Sequence, residues 1–355
     1  MEKTPYLSIV ATTRNDNHGG DLMERTKCFV EGIYHQSSRH KLPLELIIVE
    51  WNPPADKPLL KDALPKPPAD SEVLLHYVIV PESIHKTYSF SSRMPLFQMT
   101  AKNAGIRRAS APFVLCTNID LLFSDELFSF LAQKKLDENS FYRANRWDVK
   151  KEILKVDGFE NKIDFAKNNV IKRIGKVKGN EYIVGVPDFL YSFTNSMKVL
   201  NVFMKKFFTT FYPPEVFLLW SLDTFACGDF TLMSKKNWLE IEGYPELDLY
   251  SIHIDSMGLI GAAAMGINQE ILPRKMCSFH IHHEDGWESF AENPVGLIRF
   301  MEKRPGLDWY TVNETGKWLV QNNKTWGLNK PTWGFISEKL KEYIFEAGKP
   351  MKEVN

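Results

Sequence analysis

The chain has 355 residues, with 44 Lys+Arg against 44 Asp+Glu, 44% hydrophobic residues and 13% aromatic residues. A formal net charge of zero supplies no global field toward nucleic acid or an acidic membrane, and this apolar and aromatic content excludes a disordered chain. The length suits one large α/β domain or roughly two smaller ones. Tyr6–Thr12 reads as a buried strand, after which Leu22, Thr26, Phe29, Val30, Ile33 and Tyr34 recur at helical spacing. Leu44–Glu50, Val73–Val80 and Pro112–Thr117 are further β-rich apolar runs. A helix over Leu96–Ala109 precedes the last of these, and another opens at Ser124, an N-cap followed by Asp125 and Glu126. Pro53–Pro68 holds six prolines in sixteen residues and reads as a loop. The alternation predicts a mostly parallel sheet covered by helices.

Beyond residue 140 the rhythm weakens. Arg143–Asn180 carries eleven Lys/Arg against five Asp/Glu and reads as a solvated insertion; its alternative is a surface facing a phosphate-bearing substrate. Val199–Trp220 is aromatic and basic, which predicts packing on the core or peripheral membrane contact through 199–220. A strand at Gly228–Ser234, short helix at Lys235–Ile241, turn at Gly243, helix near Asp255–Gly266 and β-like run through Ile281 follow. The tail after Pro294 reads as helices and loops wrapped on the main domain. No secretory leader or run of about 18 apolar residues is present, so a cytoplasmic protein is expected. Cys28, Cys116, Cys227 and Cys277 are widely spaced in apolar surroundings and read as buried thiols.

In open α/β sheets ligands bind beyond the carboxyl ends of the strands, which directs attention to polar residues placed there. Thr12-Thr13-Arg14-Asn15-Asp16 follows the first strand, Glu50-Trp51-Asn52 the second and Asn118-Ile119-Asp120 the fourth, with Lys102-Asn103-Ala104-Gly105 on the preceding helix. Neither GxxxxGK[ST] nor GxGxxG occurs, which removes P-loop NTPases, kinases and simple Rossmann dehydrogenases from consideration.

The order of these clusters resembles the GT-A glycosyltransferases, particularly family 2-like enzymes that use nucleotide-sugar donors. Thr12–Asp16 matches the segment after their first strand, and Glu50 their acidic residue near the nucleobase. Lys102–Ala109 matches R-N-x-G-x-x-x-A with Lys for Arg, and Asn118-Ile119-Asp120 matches D-x-D with Asn for the first Asp. Gly228–Ser234, Glu242–Glu246 and Asp255 keep the order of the later motifs, so the resemblance covers about Tyr6–His283. It implies a GT-A-like, Rossmann-like domain over 1–293, with a nucleotide-binding half at 1–140, an acceptor-shaping insertion at 141–225 and an acceptor and catalytic half at 226–293. A helical or irregular tail at 294–355 follows.

The implied activity is inverting, hexosyltransferase-like transfer of a sugar from a nucleotide sugar, with a UDP-sugar favoured, to a hydroxyl of a glycan or lipid-linked acceptor in polysaccharide biosynthesis. Thr12, Thr13, Arg14, Asn15, Asp16, Glu50, Lys102, Asn103 and Asn118 are the implied donor-binding residues. A departing diphosphate needs positive charge, which Mn²⁺ or Mg²⁺ supplies on carboxylate ligands, with imidazole tolerated by Mn²⁺. Asp120 is the candidate metal ligand, joined by a histidine from His280, His282 and His283, with His283 and then His282 favoured. Asp255 is the candidate general base, and Asp229 the second candidate and a partner of the acceptor hydroxyl. Trp51, Trp220 and Trp287 are candidates for stacking on sugar rings, with Trp287 favoured. Two other readings compete: a non-catalytic carbohydrate- or nucleotide-binding protein, motivated by Asn118, and a zinc hydrolase built on His280–Asp285.

Overall fold

The computed structural model describes residues 4–177, 181–182, 213–283, 302 and 304–354. Its first half follows the expected alternation: β1 (Leu7–Thr13), α1 (Leu22–His40), β2 (Leu44–Trp51), α2 (Leu60–Ala63), β3 (Val73–Val80), α3 (Glu82–His85), α4 (Gln98–Arg108), β4 (Phe113–Thr117), β5 (Leu121–Phe123) and α5 (Asp125–Ala132). β6 (Ser140–Arg143), β7 (Asn145–Val149), α6 (Phe159–Asn168), β8 (Val170–Ile174), β9 (Lys176–Val177) and β10 (Glu181–Tyr182) come next. The remainder contains α7 (Pro214–Ser221), β11 (Phe230–Ser234), α8 (Lys235–Glu240), α9 (Ile254–Ala264), β12 (Asn268–Ile271), β13 (Cys277–Ile281), α10 (Trp309–Asn322), β14 (Lys341–Glu346) and β15 (Lys352–Val354).

A nine-stranded sheet has the order β12-β6-β11-β4-β1-β2-β3-β14-β15. β2, β3 and β4 run with β1, and β6, β12 and β15 recover that direction through the antiparallel strands β11 and β14. The α/β class and mostly parallel sheet are therefore as expected. Every residue of β1, β2 and β4 is buried, the pattern of strands covered on both faces, with separate apolar cores above and below. Ser124 caps α5 as predicted, its side chain accepting from Leu127 N, and all four cysteines are buried free thiols.

Two expectations need correction. The segment Arg143–Asn180, read as a solvated insertion, supplies strands: β7 and β8 belong to a four-stranded sheet of order β5-β13-β7-β8. Short alternating strands such as Asn145–Val149 contain too many charges to register as apolar runs. The tail forms a helix, α10, but it also returns to the large sheet, where β14 pairs antiparallel with β3 from Lys341↔Ile79 to Glu346↔Leu74. The run Lys-Glu-Tyr-Ile-Phe-Glu is half charged and shows no clean alternation, which hides this strand among charged loop residues. Among the described residues no helix is long and apolar enough to cross a membrane. Residues 199–212 lie outside the described residues.

Candidate active site

β1 and β4 end side by side, and antiparallel β11 begins at the same edge because Phe230 is the partner of Thr117. The small sheet brings the end of β13 and one face of β7 to that point, with His280 the register partner of Asp148. A cavity of about 680 Å³ opens there, lined by side chains from all these elements.

One corner is built around Asp120. His283 Nε2 lies 3.1 Å and His280 Nε2 3.6 Å from Asp120 Oδ2, and the buried Arg25 places Nη1 at 3.1 Å from the same oxygen. Burial opposes ionisation of Asp120, but the two imidazoles outweigh it and hold the carboxyl well below the usual carboxylate range. Behind His280, Asp148 Oδ1 lies 3.0 Å from Nδ1, which orients Nε2 toward Asp120. Burial and Arg146 depress the His280 imidazole, while Asp120 and Asp148 raise it more strongly, to about 9.

Arg146 pairs with both Asp148 and Asp229, the latter at 3.1 Å. Asp229 Oδ1 accepts from Asn118 Nδ2 at 2.6 Å, and Asn118 Oδ1 accepts from Gln98 Nε2 at 2.7 Å and Lys102 Nζ at 2.9 Å. One polar chain thus runs from the α4 lysine to the Asp120 corner. Lys102 also donates to Gly228 O, and burial pushes its ammonium below the usual lysine range.

Thr12, Thr13, Arg14, Asp16, Asn118, Asp120, Asp229, His282 and His283 line the cavity, as expected from their strand ends. Several other expected residues do not. Asn15 donates to Pro58 O. Glu50 is fully buried under the Leu59–Leu60 turn, accepting from Leu60 N, and burial pushes its carboxyl up to about 7. Asn103 is a structural clamp, accepting from Tyr244 N and donating to Tyr244 O and Glu246 Oε1. Lys102 lies behind Asn118 and not in the cavity wall. Asp255 spends its carboxylate on the N–H groups of Gly228 and Ser256. Trp51 is buried, donating to His85 Nδ1, and Trp220 is half-exposed on α7, outside the cavity lining. Trp287 lies outside the described residues.

Among the three histidines, His280 and His283 form the group with Asp120, whereas His282 is exposed and absent from it. Strict alternation would separate 280 from 283, but β13 ends at Ile281 and the chain turns, so alternation does not extend that far. Sequence reasoning also missed Arg25, Arg146 and Asp148. Arg25 carried a readable signal: it stands beside Thr26, three residues after Leu22 on the apolar stripe of α1.

The residues present suit a divalent cation. Ligand atoms of Asp120, His280 and His283 all lie within 4.8 Å of one another, and Asp120 Oδ1 is buried with no hydrogen-bond partner. Two imidazoles beside one carboxylate form a donor set that suits zinc or a transition-metal ion better than Mg²⁺.

No protein-family profile matches the chain, and no curated protein matches it. Among solved structures it is similar to S. aureus TarS 1–349, at 11% identity and a TM-score of 0.40 over 89% of this chain and 71% of that one. It is also similar to the catalytic domain of Drosophila beta1,4galactosyltransferase 7 in complex with xylobiose, at 9% identity and a TM-score of 0.34 over 88% of this chain and 79% of that one. Likenesses this distant decide nothing about the chemistry of this chain.

Proposed function

We propose that the chain is an inverting glycosyltransferase that moves a sugar from a nucleotide sugar, a UDP-sugar being favoured, to a hydroxyl of a glycan or lipid-linked acceptor. The supporting observation is the meeting of the Asp120–His280–His283 corner and Asp229 in one cavity at the carboxyl ends of β1 and β4. Thr12, Thr13, Arg14 and Asp16 on one wall receive the nucleotide. Mn²⁺ held by Asp120, His280 and His283 would supply the charge that stabilises the departing diphosphate. Arg25 and Arg146 add fixed positive charge beside that corner.

Displacement at the anomeric carbon requires an acceptor oxygen that loses its proton as the new bond forms. In this reading Asp229, which faces the cavity, takes that proton, while Asp255 fixes the backbone at Gly228 just before it. No covalent nucleophile is needed, so the configuration inverts. A second reading, non-catalytic binding of carbohydrate or nucleotide, is favoured by the neutral Asn118 in place of a first carboxylate.

Calorimetric titration with UDP, GDP, CDP and dTDP, each with Mn²⁺ and with chelator, tests the proposal. UDP binding that is lost with chelator is expected, followed by release of UDP from a UDP-sugar on turnover. Binding without turnover leaves the non-catalytic reading, and no nucleotide binding at all removes both the donor class and the transferase. Stoichiometric zinc in the purified protein, with no nucleotide affinity, would instead favour the hydrolase.

A further inference from the structure

The turn between β1 and α1 brings another imidazole to the Asp120 corner. Its backbone is left-handed at Asn17, Gly19, Gly20 and Asp21, with φ of 60°, 71°, 67° and 48°. Two hydrogen bonds fix where His18 stands in it: His18 N donates to Asp16 Oδ1 at 3.1 Å, and His18 O accepts from Arg25 Nη2 at 2.5 Å. The other terminal nitrogen of that guanidinium, Nη1, is the one 3.1 Å from Asp120 Oδ2. A single planar group therefore spans from the His18 backbone to the carboxylate. Gly19 packs directly on His283, where an added Cβ would lie 2.7 Å from Nδ1. Gly19 and Gly20 face a smaller pocket behind His283, whereas His18 lines the main cavity together with Asp120, His280 and His283.

The His18 ring stands edge-on to that of His283, with centroids 6.3 Å apart, against 5.3 Å between His280 and His283. Two imidazoles on one tetrahedral ion, with metal–nitrogen bonds of about 2.1 Å, place their centroids roughly 5 Å apart. His280 and His283 already meet that spacing. His18 is exposed, so rotation about its own side-chain bonds is enough to close the difference. We infer that His18 is a fourth protein ligand, which joins Asp120, His280 and His283 around a transition-metal cation. This role rests on the reading of the Asp120 corner as a metal position and is independent of the sugar transferred. Three imidazoles beside one carboxylate favour Co²⁺ or Zn²⁺ strongly over Mg²⁺.

Calorimetric titration of the full chain with Co²⁺ after treatment with chelator, read in parallel by visible absorption, tests the fourth ligand without nucleotide or turnover. His18→Ala should weaken Co²⁺ binding at least about tenfold, the loss that even an outer partner of a ligand produces, and should shift the absorption band as the coordination changes. His282→Ala removes an imidazole that also lines the cavity, and it should leave affinity and spectrum as in the wild type. Both side chains are exposed, so neither substitution threatens the fold. Affinity and spectrum unchanged in His18→Ala, with binding abolished in Asp120→Ala, overturn the fourth ligand and leave the metal corner standing. A loss in His282→Ala that His18→Ala does not show gives the position to His282 and overturns the assignment. Wild-type protein that takes up no Co²⁺, or uptake that survives Asp120→Ala, removes the metal corner and the fourth ligand with it.

Discussion

Asp148 stands behind the proposed metal position, and its contact with His280 Nδ1 determines which imidazole nitrogen is left for a cation. Carboxylates in this relation to a ligating histidine commonly tune affinity, so Asp148→Asn should weaken Mn²⁺ binding by about 10–100-fold in calorimetry. Unchanged affinity would remove His280 from the ligand set. The two candidate bases separate in kinetics. Asp229→Asn should lower kcat by at least about a hundredfold while UDP affinity with Mn²⁺ stays near wild type. Asp255→Asn should act more mildly through the Gly228 backbone, and a larger loss there than at Asp229 would return the base role to Asp255. At this scale the sequence was only partly readable. A carboxylate after a buried strand marks Asp120, whereas the roles of Arg25, Arg146 and Asp148 come from strands and helices far apart in sequence. Lys102 and Asn103 shared a motif with the site, yet their polar atoms are consumed inside the protein, and no spacing rule distinguishes that use from ligand binding.

Strand β14, second from the edge of the large sheet, is held to β3 by a largely buried ionic cluster. His76 on β3 lies 3.5 Å from Glu45 on β2 and 2.9 Å from Glu342 on β14, and Arg108 on α4 also pairs with Glu342. Glu45 accepts further hydrogen bonds from the Ser8 hydroxyl and from Ser110. Burial pushes the His76 imidazole down, but Glu342 and Glu45 raise it above its ordinary value of 6.5. Burial raises both carboxyls, but His76 and the other donors take them below their ordinary 4.5. A raised imidazole stabilises the fold below its ordinary value and loses that contribution as pH climbs through its folded value. Lowered carboxyls stabilise above their ordinary value and lose it as pH falls through theirs. Both contributions are whole between 4.5 and 6.5, so the melting-temperature deficit of His76→Gln should be largest there and narrow at alkaline pH. A deficit independent of pH would mean that His76 acts only by packing. The elements most legible in the sequence are those with two buried faces. Val73–Val80 matches its predicted bounds, and β2 differs by one residue at its end. β14, with polar residues on its open side, offers no such run.

For the whole molecule, the alternation of apolar strand runs with helical patterns was enough to anticipate an α/β sheet, and the polar clusters at its strand ends pointed to the position of the cavity. Of the second sheet only β13 was anticipated, as the β-like run through Ile281; β5, β7 and β8 are too short or too charged to read as strands alone. The tail escaped because its partner, β3, already reads as complete. Removing residues 341–355 should therefore lower the melting temperature by several degrees and raise light scattering on heating, since β3 would present an unpaired edge. UDP affinity of the folded fraction should be unchanged, and a loss of affinity would show that the tail reaches the cavity. The pairing of Lys341 with Ile79 also has a consequence for biosynthesis. A ribosome makes β3 long before its partner β14, so during the synthesis of everything between them the nascent sheet has an open, apolar border. Folding of this sheet is expected to wait for β14, and the interval before it emerges is when holdase chaperones would matter most.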